Sequence, residues 1–99
     1  MSWIDDPQKI KIVNIIRKTD IFHSIYKLLL LVYTGIEKTT DVKLILGGNY
    51  YYMIKNAETR GLLRKELGGR LVLTEEGRRV AETLYRCLLE LEEKGKEER

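Results

Sequence analysis

The sequence predicts a mainly helical domain with one small β-hairpin between its last two helices. Apolar residues recur at helical spacing through most of the chain, and glycines or capping residues stand where the helices should end. Between residues 62 and 73, two short apolar-spaced segments flank Gly68-Gly69, and a glycine pair in this setting predicts a two-residue hairpin turn. At 99 residues the chain is expected to form a single domain over residues 1–99.

Five helices are predicted from local start and stop signals. Proline and side chains that cap helix N-termini mark the starts, and glycines mark the ends. The start signals are Pro7, Asp20, Thr39 or Thr40, Asn49 and Thr74, and the stop signals include Gly35, Gly47 and Gly61. The predicted helices therefore cover about 7–18, 20–34, 39–46, 49–60 and 74–94.

Composition and charge restrict the classes of protein to consider. Apolar residues make up 43% and charged residues 33% of the chain, as in globular rather than disordered proteins. The longest apolar run, residues 28–33, is far shorter than the roughly 20 residues that span a bilayer. Asp5 and Asp6 stand where a signal peptide would carry positive charge, which predicts an intracellular, cytoplasmic protein. The net charge of +3 favours a polyanionic partner only weakly.

The third and fourth helices form a pair joined by a tight, glycine-containing turn, which is typical of a helix-turn-helix over about 39–60. On a helical wheel, Ile54 and Ala57 of the fourth helix face the core, and Tyr52, Lys55 and Thr59 face outward. Lysine suits phosphate or guanine, asparagine suits an adenine edge, and tyrosine hydroxyls suit phosphates. The alternative is that the consecutive tyrosines simply cover helix surface. The predicted DNA-binding residues, including the basic hairpin, are Thr39, Thr40, Lys43, Asn49, Tyr51, Tyr52, Lys55, Asn56, Thr59, Arg64, Lys65 and Arg70.

The hairpin and the start of the last helix carry a family resemblance. Gly61-Leu62-Leu63, the basic segment after it, and Leu71-Val72-Leu73-Thr74-Glu75-Glu76-Gly77 resemble the wing and last-helix entry of winged-helix transcription regulators. These include the multiple-antibiotic-resistance-repressor and phenolic-acid-repressor superfamilies and small archaeal or archaeal-virus DNA-binding proteins. The resemblance covers about residues 20–80. It implies a winged helix-turn-helix with an extra N-terminal helix and a long C-terminal helix.

For DNA binding, the resemblance implies a recognition helix at 49–60 that lies in the major groove and a wing at about 62–73. The wing would contact the backbone or the minor groove. This chain departs from the larger regulators because its wing turn is short and because it has no extra domain for a ligand. No small-molecule ligand is therefore expected.

The last helix carries an apolar stripe that a small domain cannot cover completely. A second copy of the chain would bury the remainder, so we expect a homodimer that reads half-sites about one helical turn apart. The alternative is that the N-terminal helix folds back and covers the stripe within the same chain. The predicted dimer residues are Ile10, Val13, Ile16, Val80, Leu84, Cys87, Leu88 and Leu91.

No residue pattern in the sequence predicts an active site. His23 is the single histidine and Cys87 the single cysteine, so neither a metal site nor an intrachain disulfide is expected. We predict no cofactor and no enzymatic activity. The predicted function is sequence-specific binding of double-stranded DNA by a small dimeric transcription regulator. The alternatives are a chromatin-type architectural protein and a winged-helix protein–protein interaction module.

Overall fold

The described residues form five α-helices and one two-stranded antiparallel sheet. The computed structural model describes residues 3–18 and 24–97. In chain order the elements are α1 (Pro7–Lys18), α2 (Ser24–Tyr33), α3 (Thr39–Leu46), α4 (Tyr50–Thr59), β1 (Leu63–Glu66), β2 (Arg70–Leu73) and α5 (Glu75–Glu97). The prediction of a mainly helical fold with one small hairpin is confirmed. The predictions made for Asp20 and His23 lie outside the described residues.

The helix boundaries follow the local signals at the start of α1, the end of α4 and the start of α5. The N-cap of α3, in contrast, is Lys38, and neither Lys38 nor Asn49 makes a side-chain capping bond. α1 begins at Pro7, and the Asp6 carboxylate just before it accepts the backbone N–H of Gln8 at 3.0 Å. After α4, Gly61 adopts a φ of 73°, a left-handed value that favours glycine. The chain reversal there lets the Leu62 N–H donate to the Ala57 carbonyl at 3.0 Å, which satisfies an otherwise unpaired group at the helix end.

The core is organised around α2, which contacts all four other helices and β2. Four consecutive leucines, residues 28–31, are fully buried, so this helix is covered on every side. α1 packs on α2 and inserts Val13 and Ile16 into the same core. α1 therefore packs within its own chain, but its main contacts are with α2 and α3, and the exposed Leu89 and Leu91 show that it does not cover the whole apolar stripe of α5.

The hairpin differs from its predicted form by one residue. Leu63 pairs with Leu73 and Glu66 with Arg70, so three residues, Leu67–Gly69, form the turn. Gly68 and Gly69 both have positive φ, at 82° and 79°. The prediction of a two-residue turn was wrong because Leu67 joins the two glycines beyond the last pair of the ladder. A three-residue loop with a left-handed glycine is the next most common hairpin connection.

The segment between α2 and α3 attaches the hairpin to the helices. The Leu71 N–H donates to the Glu37 carbonyl at 2.7 Å, and Lys38 forms an isolated antiparallel bridge with Arg70. This contact joins residues more than thirty positions apart, and the sequence pattern did not predict it. As a result, the hairpin lies directly beside the start of α3.

Candidate nucleic-acid interface

The outward side of α4 is exposed in the way that the helical wheel predicts. Ile54 and Ala57 are buried, whereas Tyr51 and Tyr52 are 47% and 73% exposed. The remaining predicted residues of this side are also exposed, namely Asn49, Lys55, Asn56 and Thr59. α4 therefore holds a polar and aromatic surface on a helix whose opposite side is fixed by the core.

Tyrosine rings organise the two lysines of this surface. The Lys55 ammonium lies 5.2 Å from the centroid of the Tyr51 ring, and the Tyr51 and Tyr52 rings meet edge to face at 6.0 Å. Lys43 reaches from α3 to within 5.9 Å of the Tyr50 ring centroid on α4. An exposed cation over an aromatic ring is stabilised by about 0.5–1 kcal/mol. The two cations are thus oriented along α3 and α4 while they remain in contact with solvent.

Two of the predicted base-reading or phosphate-binding groups already have intrahelical partners. The Asn56 side-chain oxygen accepts the Arg60 Nε–H at 3.1 Å, and the Thr59 hydroxyl donates to the Lys55 carbonyl at 2.9 Å. A bidentate contact between asparagine and adenine uses both the amide oxygen and the amide nitrogen. The Asn56 oxygen has a second lone pair for an adenine amino group, so the Arg60 contact orients the amide without blocking such a contact.

The basic residues of the hairpin do not share one face. Side chains alternate along a strand, and the register pairs Arg64 with Val72 and Lys65 with Leu71. Arg64 and Lys65 thus leave the hairpin on opposite sides, although both are exposed. The two residues cannot contact one strand of a duplex from the same side of the hairpin.

Arg70 is held by carboxylates. Its Nε donates to Glu37 at 3.0 Å, and its Nη1 lies 3.7 Å from Glu66. Glu37 was not among the predicted site residues, because its role depends on the contact between residues 37–38 and β2. Arg70 anchors the hairpin in this structure, in addition to any contact that it makes with a ligand.

The start of α3 and the hairpin turn border a shallow pocket of about 600 Å³. The structure brings three predicted residues together here, Thr39, Thr40 and Arg70. It adds Lys9 and Lys38, which the sequence did not single out. Their side chains could have been noticed only through the tertiary contact that brings α1 and the hairpin to the α3 start. Lys43, Arg64 and Lys65 do not line this pocket.

The predicted dimer residues divide into two groups. Val13 and Ile16 are at most 2% exposed within the chain itself, so they are not available to a second chain, and their assignment to an intersubunit contact is corrected, whereas Leu88 is 4% exposed and lines a groove between α1 and α5. Ile10, Val80 and Leu84 are half-buried, and Cys87 and Leu91 are exposed. This apolar groove of about 670 Å³ between α1 and α5 is also lined by residues that include Ile12, Ile15, Tyr85 and Leu89. Their helical spacing, i and i+3 on α1 and i and i+4 on α5, was the signal that could have revealed the groove.

Comparison with known proteins gives this chain no relative. No family model, no curated protein and no solved structure matches it. Within residues 3–18 and 24–97, no helix has the length and apolarity needed to cross a membrane. The same residues contain no group of three or more His, Cys, Asp or Glu side chains placed to hold a metal ion.

Proposed function

We propose that this protein is a winged-helix, double-stranded DNA-binding protein that acts as a small dimeric transcription regulator. The observation that carries the proposal is the exposed surface of α4, where Tyr51, Tyr52 and Lys55 lie on a rigid helix with no covering element in the described chain. Exposed neighbouring aromatics are unusual on a monomer surface unless they bind a partner. In this proposal α4 enters the major groove.

The charge of the region supports a polyanionic partner. Residues 37–70 contain seven Lys or Arg against four Asp or Glu, whereas residues 75–97 contain five against seven. α3, α4 and the hairpin thus carry net positive charge, as does α1 with four Lys or Arg and no Asp or Glu, and α5 forms the acidic part. A duplex approaching this protein is attracted towards α4 and the hairpin and repelled by α5.

The proposed contacts divide into reading and positioning groups. Lys55 and Asn56 would contact base edges, with the tyrosine hydroxyls on neighbouring phosphates. Thr39, Thr40 and Lys43 would hold phosphates at the start of the helix pair, and Arg64 or Lys65 would do so from the wing. Because most of these contacts are to phosphates, the binding constant should fall steeply as the salt concentration rises.

A binding titration with a random-sequence duplex at several salt concentrations tests the proposal. We expect wild-type protein to bind, with the slope of log K against log salt reduced by about one in Lys65→Ala. Lys55→Ala and Asn56→Ala should instead change which fragments are selected from a random DNA pool. Lys94→Ala removes a cation from the acidic helix α5 and serves as the control. Failure of the wild-type protein to bind any duplex at low salt and micromolar concentration would refute the proposal.

One observation favours a protein-interaction module as the second candidate. Leu44 on α3 is 66% exposed and lies on the helix that precedes the tyrosine surface. With Tyr52 it provides apolar area of the kind enriched at the centre of protein interfaces. A Leu44→Ser variant that retains full DNA affinity but loses a binding partner would support this candidate.

A further inference from the structure

The turn of the hairpin presents a leucine entirely to solvent. Leu67 is 102% exposed, more than any of the other large hydrophobic side chains on the described surface. It is the first residue of the three-residue turn, between β1 and β2. Scattered apolar residues are normal on protein surfaces, but a leucine exposed this completely in a hairpin turn covers no surface of its own chain.

The tip that carries Leu67 is fixed to the rest of the molecule. Gly69 lies so close to α3 that an added Cβ would be 2.9 Å from the Thr39 hydroxyl oxygen. The start of β2, next to the turn, is held by the ion pair of Arg70 with Glu37 and by the backbone hydrogen bond from the Leu71 N–H to the Glu37 carbonyl. Leu67 is thus presented by a preorganised element, which lowers the entropic cost of using it in binding.

Size and charge indicate what the tip contacts. Two strands lie only about 4.8 Å apart, and a tip this narrow offers one apolar side chain rather than the roughly 800 Å² that a stable protein interface needs from each partner. The minor groove of DNA is about 6 Å wide, which excludes the whole hairpin but admits a single side chain. Two exposed cations lie close to the turn, Lys38 through its bridge with Arg70 and Lys65 two residues before Leu67. Glu66 is paired with Arg70, so these lysines can meet the phosphates that border such a groove.

We propose that Leu67 is a wedge that enters the minor groove, partly unstacks one base step and bends the duplex. The inference rests on the proposed DNA binding and adds DNA deformation to it. Leucine is among the apolar side chains that can separate base steps from the minor-groove side. Pyrimidine–purine steps such as TA unstack most easily, so the wedge predicts a preference for TA-rich DNA over stiff A-tracts of the same composition.

Two end-labelled duplexes of equal A·T content test the wedge, one built from repeated TA steps and one from A-tracts. Energy transfer between the end labels reports bending, and fluorescence anisotropy reports affinity. We expect wild-type protein to shorten the end-to-end distance of the TA duplex and to bind it about tenfold more tightly than the A-tract duplex. Leu67→Ser should lose both the bend and the preference but still bind through phosphate contacts, whereas Leu67→Met should keep both.

Leu67→Met is the matched control, because it keeps a long apolar side chain at the same fully exposed position. Thermal unfolding should show that Leu67→Ser leaves the fold unaffected, as expected for a fully exposed position. If wild-type protein binds both duplexes without bending either, or if Leu67→Ser bends DNA like the wild type, the wedge is wrong and the proposed function stands. If wild-type protein binds neither duplex, the proposed function fails and the wedge fails with it.

Discussion

The end of α4 packs against the start of α5 because of two features, the hydroxyl group of Thr74 and the absence of a side chain at Gly77. The Thr74 hydroxyl donates to the Gly61 carbonyl at 2.6 Å and accepts the Gly77 N–H at 3.1 Å. Gly77 is buried, and an added Cβ would lie 1.9 Å from the Leu62 carbonyl oxygen. The threonine and glycine that carried the family resemblance thus have a physical role in packing, independent of any ligand.

Gly77→Ala should destabilise the fold, although alanine favours a helix over glycine by about 1 kcal/mol. The steric conflict is with backbone, so α5 or the α4 end must move, and we expect the free energy of unfolding to fall by about 2 kcal/mol or more. Urea denaturation measures the change. Gly48→Ala is the control, since an added Cβ there meets nothing within 4 Å and should be neutral or slightly stabilising. Equal stability of the two variants would contradict the packing argument.

The hairpin depends on a contact that spans the sequence. Glu37, before α3, binds Arg70 through its side chain and Leu71 through its backbone carbonyl. Since Arg70 is 61% exposed and Glu37 39%, the ion pair adds less than about 1 kcal/mol to stability. The greater effect of Glu37 should be on the charge that the hairpin offers to a ligand, because it neutralises Arg70.

Glu37→Gln should therefore raise affinity for DNA. One negative charge removed about 8 Å from a phosphate, in a water-like dielectric, corresponds to a roughly two- to threefold gain. Titrations at two salt concentrations should also show a steeper salt dependence, because Arg70 then keeps only its longer contact with Glu66 and binds phosphate more readily. Glu82→Gln removes a carboxylate from the Glu82–Arg86 pair on α5 and is the matched control. Similar gains in the two variants would indicate a general charge effect and exclude a specific role for Glu37.

The helices were predictable because their ends depend on neighbours in sequence. Pro7, Gly61 and Thr74 act within one turn of their own positions, and each helix end that they predict is confirmed. The contact of residues 37–38 with β2 was not predictable, since pairing over more than thirty residues depends on tertiary packing. The same limit applies to the candidate site. Helical spacing gave the exposed side of α4, but not the carboxylates around Arg70 or the burial of Val13 and Ile16.

At the scale of the whole molecule, α5 extends beyond the core that it covers. At 23 residues it is about 34 Å long, in a molecule whose longest dimension is 45 Å. Ala81 and Leu88 are buried, but Leu89 and Leu91 are 48% and 44% exposed. Leu89 also lines the groove between α1 and α5, whose walls carry Lys11 on one side and Glu92 and Glu93 on the other. Because the two walls carry opposite charges, a two-fold contact would place Lys11 of one copy opposite Glu92 and Glu93 of the other.

Leu89→Glu should therefore shift the protein from dimer to monomer. The new carboxylate would replace apolar contact area beside Glu92 and Glu93, and its desolvation against a second chain would cost more than attraction to Lys11 returns. Sedimentation equilibrium should give twice the chain mass of 11.6 kDa for the wild type and 11.6 kDa for the variant. Leu44→Glu makes the same chemical change on α3, away from this groove, and should remain dimeric. A wild-type protein that stays monomeric at micromolar concentration, or a Leu89→Glu variant that stays dimeric, would show that this groove is not the subunit interface.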